Sequence, residues 1–197
     1  GPQDVSHGTH VATTIGLKND GSDLNGMAIK VLPLRVLATA NEGRGTFYDI
    51  NQAVLYAAGL SNDSGTVAPT STPIKVINLS LGGYGAYDCS IYADVAAQGI
   101  TVVASSGNEG SDEEAGQYSY PASCSNVVSV AATNSYDQVA VYSQYNNMVD
   151  ISAPGGASWI DADADGNGDG VYAYYNDTTI KGIQGTSMAS PTVAGGL

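Results

Sequence analysis

The residues able to do chemistry fall in three short stretches. In Gly185-Thr186-Ser187-Met188-Ala189-Ser190-Pro191, one serine sits among small residues, and an apolar helical run follows (Met188, Ala189, Val193, Ala194). Gly185 and Thr186 leave room for a substrate backbone. A serine at a helix start holds its hydroxyl and amide at the positive end of the helix dipole, which favours a developing oxyanion. The same residue would also serve as a plain N-cap. Serine is a weak nucleophile without a base, and the only histidines are His7 and His10, in Ser6-His7-Gly8-Thr9-His10-Val11-Ala12. Any imidazole base is one of these two; either could instead be a buried, hydrogen-bonded core histidine. Their HxxH spacing, with no Glu beside it, does not fit a zinc-binding HExxH pair. The third stretch is Ser105-Ser106-Gly107-Asn108. It puts a side-chain amide at the carboxyl end of a buried strand, where α/β proteins keep ligand sites. A turn asparagine is the plainer role.

These residues need a scaffold. Ser6 is a good N-cap, and Val11 and Ile15 suit a buried helix, with His7 in its first turn and His10 one turn on. Ile29 to Leu37 reads as a buried strand, with Pro33 at a bend or edge. Thr46-Phe47-Tyr48-Asp49 reads as a capped helix start; Ile50, Ala53, Val54 and Ala57 follow at helical spacing, and Gly59 ends the run. Lys75 to Leu81, Ile100 to Ser105 and Val127 to Ala132 read as further buried strands, and Ser90 to Gln98 as a short helix. Strand, helix and strand at this spacing predict an α/β fold with a parallel sheet and crossover helices. Ser80-Leu81-Gly82-Gly83 continues one strand into glycines. Such an edge can take a peptide as an added strand through main-chain hydrogen bonds, or simply run into a turn.

The histidine stretch at one end and the serine stretch at the other resemble the two signatures of the subtilisin-like serine proteases (subtilases), and the likeness extends through nearly the whole chain. The resemblance implies a three-layer α/β/α fold with a mostly parallel central sheet, incomplete at both ends, so that residues 1–197 form a partial catalytic domain. It implies His7 as general base with His10 a structural neighbour, Ser187 as nucleophile and Asn108 as oxyanion donor. It further implies that Ser80, Leu81, Gly82 and Gly83 pair with extended substrate. Ser105, Ser106 and Gly107 then belong to the substrate side, and Ser119 to the base of the S1 pocket. No acidic residue falls at that base, so an apolar or aromatic P1 residue is expected, subject to Asp112, Glu113 and Glu114 nearby. The triad of this family runs Asp, His, Ser in chain order. Only six residues precede His7, and the surroundings of Asp4 do not match, so the aspartate is expected on a strand ahead of residue 1. By itself the piece should be almost inactive and poorly stable.

Two further features bear on stability. Asp161, Asp163 and Asp165 alternate with alanine ahead of Gly166, then Asn167 and Asp169 follow, like the first half of an EF-hand loop; Tyr172 stands where the closing Glu would be. Structural calcium on these five residues and a solvated acidic loop both remain open. In subtilases a loop placed like Lys18 to Gly26 often holds calcium, and Asp20, Asp23 and Asn25 could supply oxygens, although a surface turn is the simpler reading. No cofactor is expected for catalysis itself. Cys89 and Cys124 lack a CxxC spacing, so metal or redox use is disfavoured. A disulfide between them would staple the substrate-side loops, contribute roughly 3–4 kcal/mol and imply an oxidising compartment; two buried thiols are the alternative.

The 197 residues suffice for one domain with a core, and 6 Lys plus Arg against 19 Asp plus Glu give a net charge of -13. That balance argues against nucleic acid or an anionic membrane as partner, and no apolar run approaches a membrane span. The chain reads as a piece of a longer, secreted, monomeric serine endopeptidase of broad specificity acting on proteins or peptides. The alternative is a catalytically inactive peptide-binding module of the same fold. An α/β-hydrolase is disfavoured because its GxSxG serine precedes its histidine in the chain. A calcium-dependent adhesion domain would explain the acidic loop but neither signature.

Overall fold

The computed structural model describes residues 6–16, 29–38, 43–69, 71, 73–110, 116–176 and 178–197. The loop positions Asp20, Asp23 and Asn25 lie outside them, as do Asp4, Asp112, Glu113 and Glu114.

Four strands make one parallel sheet in the order β1 (Val76–Leu79), β2 (Thr101–Ser105), β3 (Val127–Thr133), β4 (Ile151–Pro154). Side chains alternate across a strand, and both faces of β2 are buried. Val102 and Ala104 point into a cluster with Val54, Tyr92 and Val95, while Val103 points into another with Ala189 and Ala194. The first cluster belongs to α2 (Phe47–Ala57) and α3 (Ile91–Ala97); the second to α4 (Thr186–Gly196). Helices on both faces explain why β2 reads as a continuous apolar run rather than an alternating one. The three-layer α/β/α arrangement is therefore present.

Local signals hold at α2. Thr46 Oγ1 accepts the Asp49 N–H at 3.0 Å, and Ile50, Val54 and Ala57 form its buried stripe. α1 (Ser6–Thr14) packs against α4 and against β5 (Val171–Tyr174). β5 pairs antiparallel with β6 (Ile180–Ile183) in a hairpin that sequence reading had not anticipated.

The expected buried strand Ile29 to Leu37 is not formed. These residues make no strand pairing; the one bridge nearby joins Ala38 to Arg44. Ile29, Val31, Leu32 and Leu34 are 38–45% exposed. An apolar β-run is buried only when a strand pairs beside it. Here the segment faces β1, the sheet's edge, across a cavity of about 1480 Å³ that α1, α2 and the end of α4 also line.

Candidate active site

β1, β2 and the start of α4 bring the sequence-predicted residues to the carboxyl ends of the parallel strands. Ser187 is in the first turn of α4 and half-buried. Pro191 lies inside that helix. It has no N–H to give the carbonyl four residues earlier, and that carbonyl is Ser187's own. Ser80 Oγ fills the gap, donating to Ser187 O at 2.7 Å. Behind it, Ser190 Oγ donates to Asn78 Oδ1 at 2.7 Å, and Asn78 Nδ2 donates to Ser80 Oγ at 3.0 Å. The helix that carries the serine is thereby bolted to the end of β1. Ser187 Oγ itself points to Ser80 O at 3.5 Å.

Asn108 follows β2. Its Oδ1 accepts both the backbone N–H and the hydroxyl of Thr186, each at 2.9 Å. The carbonyl end of the amide is thus committed to the residue before Ser187, and its Nδ2 donors are the end left for a ligand. Asn108 is exposed, so a substrate can reach it. The loop around it is fastened on both sides: Ser106 Oγ donates to Gln144 O, and Gln144 N–H donates to Gly107 O, both at 3.0 Å. Gly107 has φ +114, and a Cβ there would stand 1.6 Å from Gln144 Oε1. Only glycine fits that turn.

Gly185, just before the serine, donates its N–H to Gly155 O at 2.9 Å and to the Tyr142 hydroxyl at 3.1 Å. Tyr142 in turn donates to Gly156 O at 2.8 Å. Burial pushes this phenol up to about 12, and the Gly185 N–H works weakly the other way.

At the edge where the sequence predicts substrate pairing, Gly83 exchanges both backbone bonds with Tyr120, at 3.0 and 2.9 Å. Its own pairing groups are therefore engaged, and the open edge is Ser80 to Gly82. A Cβ on Gly82 would meet Ser119 Oγ at 2.6 Å, so glycine allows the two walls to approach. Ser105, Ser106 and Ser119 are nearly fully buried; they build the wall rather than its surface.

His7 sits in the first turn of α1 and lines the large cavity, as Ser80 does. His10 is fully buried. Its Nε2–H donates to Lys181 O at 3.0 Å, while Nδ1 finds no hydrogen-bond partner among the described residues. Burial holds its pKa below the usual histidine range; the hydrogen bond to the Lys181 backbone opposes the shift.

The profile of the Subtilase family matches residues 2–197. The chain belongs to that family. It is 38% identical to an extracellular protease of Xanthomonas campestris, over 96% of this chain and 31% of that protein. It is 36% identical to thermitase of Thermoactinomyces vulgaris, over 96% of this chain and 58% of that one. Among solved structures, a protease of Pseudoalteromonas arctica superposes with TM-score 0.77 at 34% identity, over 96% of this chain and 56% of that one. The chain thus spans less than two thirds of the length of each of these relatives.

In this subtilase domain Cys89 and Cys124 are joined in a disulfide. The acidic loop brings Asp161, Asp163 and Asp169 together, with one carboxylate oxygen from each within 4.8 Å of the others. Asp165 lies outside that group; its Oδ1 accepts the Asn167 N–H at 2.7 Å. Sequence reading missed Asn78, Ser190 and Tyr142 as parts of the site, and Thr186 as the anchor of the Asn108 side chain. Pro191 carried a usable signal, because a mid-helix proline orphans the carbonyl of Ser187.

Proposed function

We propose that the full-length protein is a secreted, monomeric serine endopeptidase of broad specificity with an apolar P1 preference. The observation that carries this reading is the grip of Asn108 on Thr186, which sets an amide donor beside the start of the nucleophile's helix. A substrate strand lies along Ser80 to Gly82. His7 takes the proton from Ser187 as it attacks the scissile carbonyl. The Ser187 backbone N–H and Asn108 Nδ2 stabilise the oxyanion, His7 protonates the leaving amine, and water releases the acyl group. The aspartate that orients His7 comes from a segment preceding residue 1. The cavity beside β1 has the apolar walls and the open strand edge that an added strand requires.

Calcium has a structural role in this reading. Asp161, Asp163 and Asp169 would hold it, and like charges that close favour a cation between them. Bound there, calcium supplies no catalytic step; it stiffens the loop that leads into the β5–β6 hairpin and on to Ser187. A chelator is expected to lower the melting temperature of the full-length protein, and Asp163→Asn to abolish that response. A melting curve indifferent to chelator removes calcium from the account.

Fluorophosphonate labelling of the full-length protein tests the enzyme reading. Labelling that disappears in Ser187→Ala establishes an activated serine. A folded protein that does not label is instead a peptide-binding module without chemistry.

A further inference from the structure

The loop that carries Asn108 is tied across the cleft to the far end of the substrate edge. Tyr84 directly follows Gly83, and its hydroxyl donates to Glu109 Oε2 and also lies 2.9 Å from Gln144 Oε1. One proton serves two acceptors, and the charged carboxylate is the stronger of them. The same Glu109 Oε2 accepts the backbone N–H of Asn108 at 2.9 Å. A continuous chain of hydrogen bonds therefore runs from Tyr84 through Glu109 to the Asn108 backbone. From there Asn108 Oδ1 continues it to Thr186, the residue before Ser187. Gln144, the second residue at the Tyr84 hydroxyl, holds Gly107 from the other side. The two sides of the cleft are otherwise separate pieces of chain, the β1 extension and the loop after β2.

We infer that Tyr84 is a positioning residue for the oxyanion donor: its phenol fixes Glu109, and Glu109 fixes the Asn108 backbone so that Nδ2 is aimed before substrate arrives. The physical requirement is strict, because an oxyanion donor acts only when its distance to the tetrahedral oxygen is right. Held at its backbone by Glu109 and at its side chain by Thr186, Asn108 has little freedom left to lose at the transition state. An exposed phenol–carboxylate bond with no such role would be a surface contact of little worth. This inference rests on the protease reading above and deepens it.

The test uses the full-length protein with Tyr84→Phe, which removes one hydroxyl and keeps the ring. Tyr48→Phe is the control: it removes a phenol–carboxylate bond of the same kind, to Asp63, away from the cleft. The readouts are kcat and KM on a peptide anilide, and affinity for a peptide aldehyde, which forms the tetrahedral oxyanion, against affinity for a product peptide, which does not. Tyr84→Phe is expected to lower kcat and aldehyde affinity in parallel by roughly 5- to 20-fold, less than loss of the donor itself, with KM and product affinity nearly unchanged. Glu109→Gln, which keeps a weaker acceptor, should fall between wild type and Glu109→Ala, so the chain is tested even if one variant folds poorly. Equal losses in ground-state and aldehyde binding, or no loss at all, overturn the inference. A wild type that reacts with a fluorophosphonate while Tyr84→Phe keeps full kcat sinks this inference alone; a wild type that never reacts sinks the protease reading and this inference with it.

Discussion

In the proposed mechanism Asn108 uses both ends of one amide. Thr186 occupies Oδ1 twice, so replacement by alanine would remove the proposed oxyanion donor and also free the backbone ahead of Ser187. Asn108→Ala is expected to lower kcat about 10²–10³-fold with little change in KM; this figure is the loss measured for the oxyanion asparagine of a subtilisin, so it is carried over from a relative. Steady-state kinetics checks it, and a change confined to KM would remove Asn108 from the chemistry. His10 shows the opposite use of a polar side chain, neutral and sealed in the core. Burial holds its folded pKa below the ordinary histidine value. The unfolded chain therefore takes up a proton first as pH falls. The stability from neutral His10 is fully present above about pH 6.5 and is lost as pH drops toward the lower, folded value. Melting temperatures between pH 8 and 5 should fall more steeply for wild type than for His10→Gln; parallel curves would show that His10 is not the group responsible. The types and positions of these residues were legible in the sequence. That one histidine is buried and the other lines a cavity was not, since both share one helix.

At the scale of elements, what matters is how α4 is attached. Its proline orphans the Ser187 carbonyl and Ser80 satisfies it, so the helix and β1 are joined by a bond that neither could make alone. Tyr142 does the same for the turn before the helix, bridging Gly185 and Gly156. Tyr142→Phe leaves the buried Gly156 carbonyl short of a partner, while the Gly185 N–H keeps Gly155 O, and should cost about 1–3 kcal/mol. It should also lower kcat, because Gly185 leads directly to Ser187. Denaturant unfolding with parallel kinetics measures both, and an unchanged midpoint would show that water replaces the hydroxyl. α2 was readable in advance because cap, stripe and terminating glycine are all local. Ile29 to Leu37 was not, because an apolar run says only that a strand would be buried beside a partner, and the partner strand is not among the described elements.

Across the whole molecule, the disulfide is a long-range covalent restraint. Cys89 and Cys124 close a span of 35 residues, for which the chain-entropy account gives roughly 4 kcal/mol. Cys89→Ser with Cys124→Ser should therefore lower the denaturation free energy by that order, checked by urea unfolding; a loss below about 1 kcal/mol would show that the folded state gains nothing from the closed loop. No helix among the described residues is long and apolar enough to cross a membrane. Taken alone, the sequence determined the family, the α/β class, the serine and histidine stretches and where β1, β2 and β3 fall along the chain. These are carried by short motifs and by periodicities that adjacent residues impose on one another. Only the tertiary structure decided that Asp161, Asp163 and Asp169 cluster, that Gly83 is already paired, that a cavity runs beside β1, and that Tyr84, Glu109, Asn108 and Thr186 form one hydrogen-bonded chain. Each of those facts depends on side chains that are distant in sequence meeting at the carboxyl ends of a folded sheet or across a closed loop, and no local pattern encodes where distant residues meet.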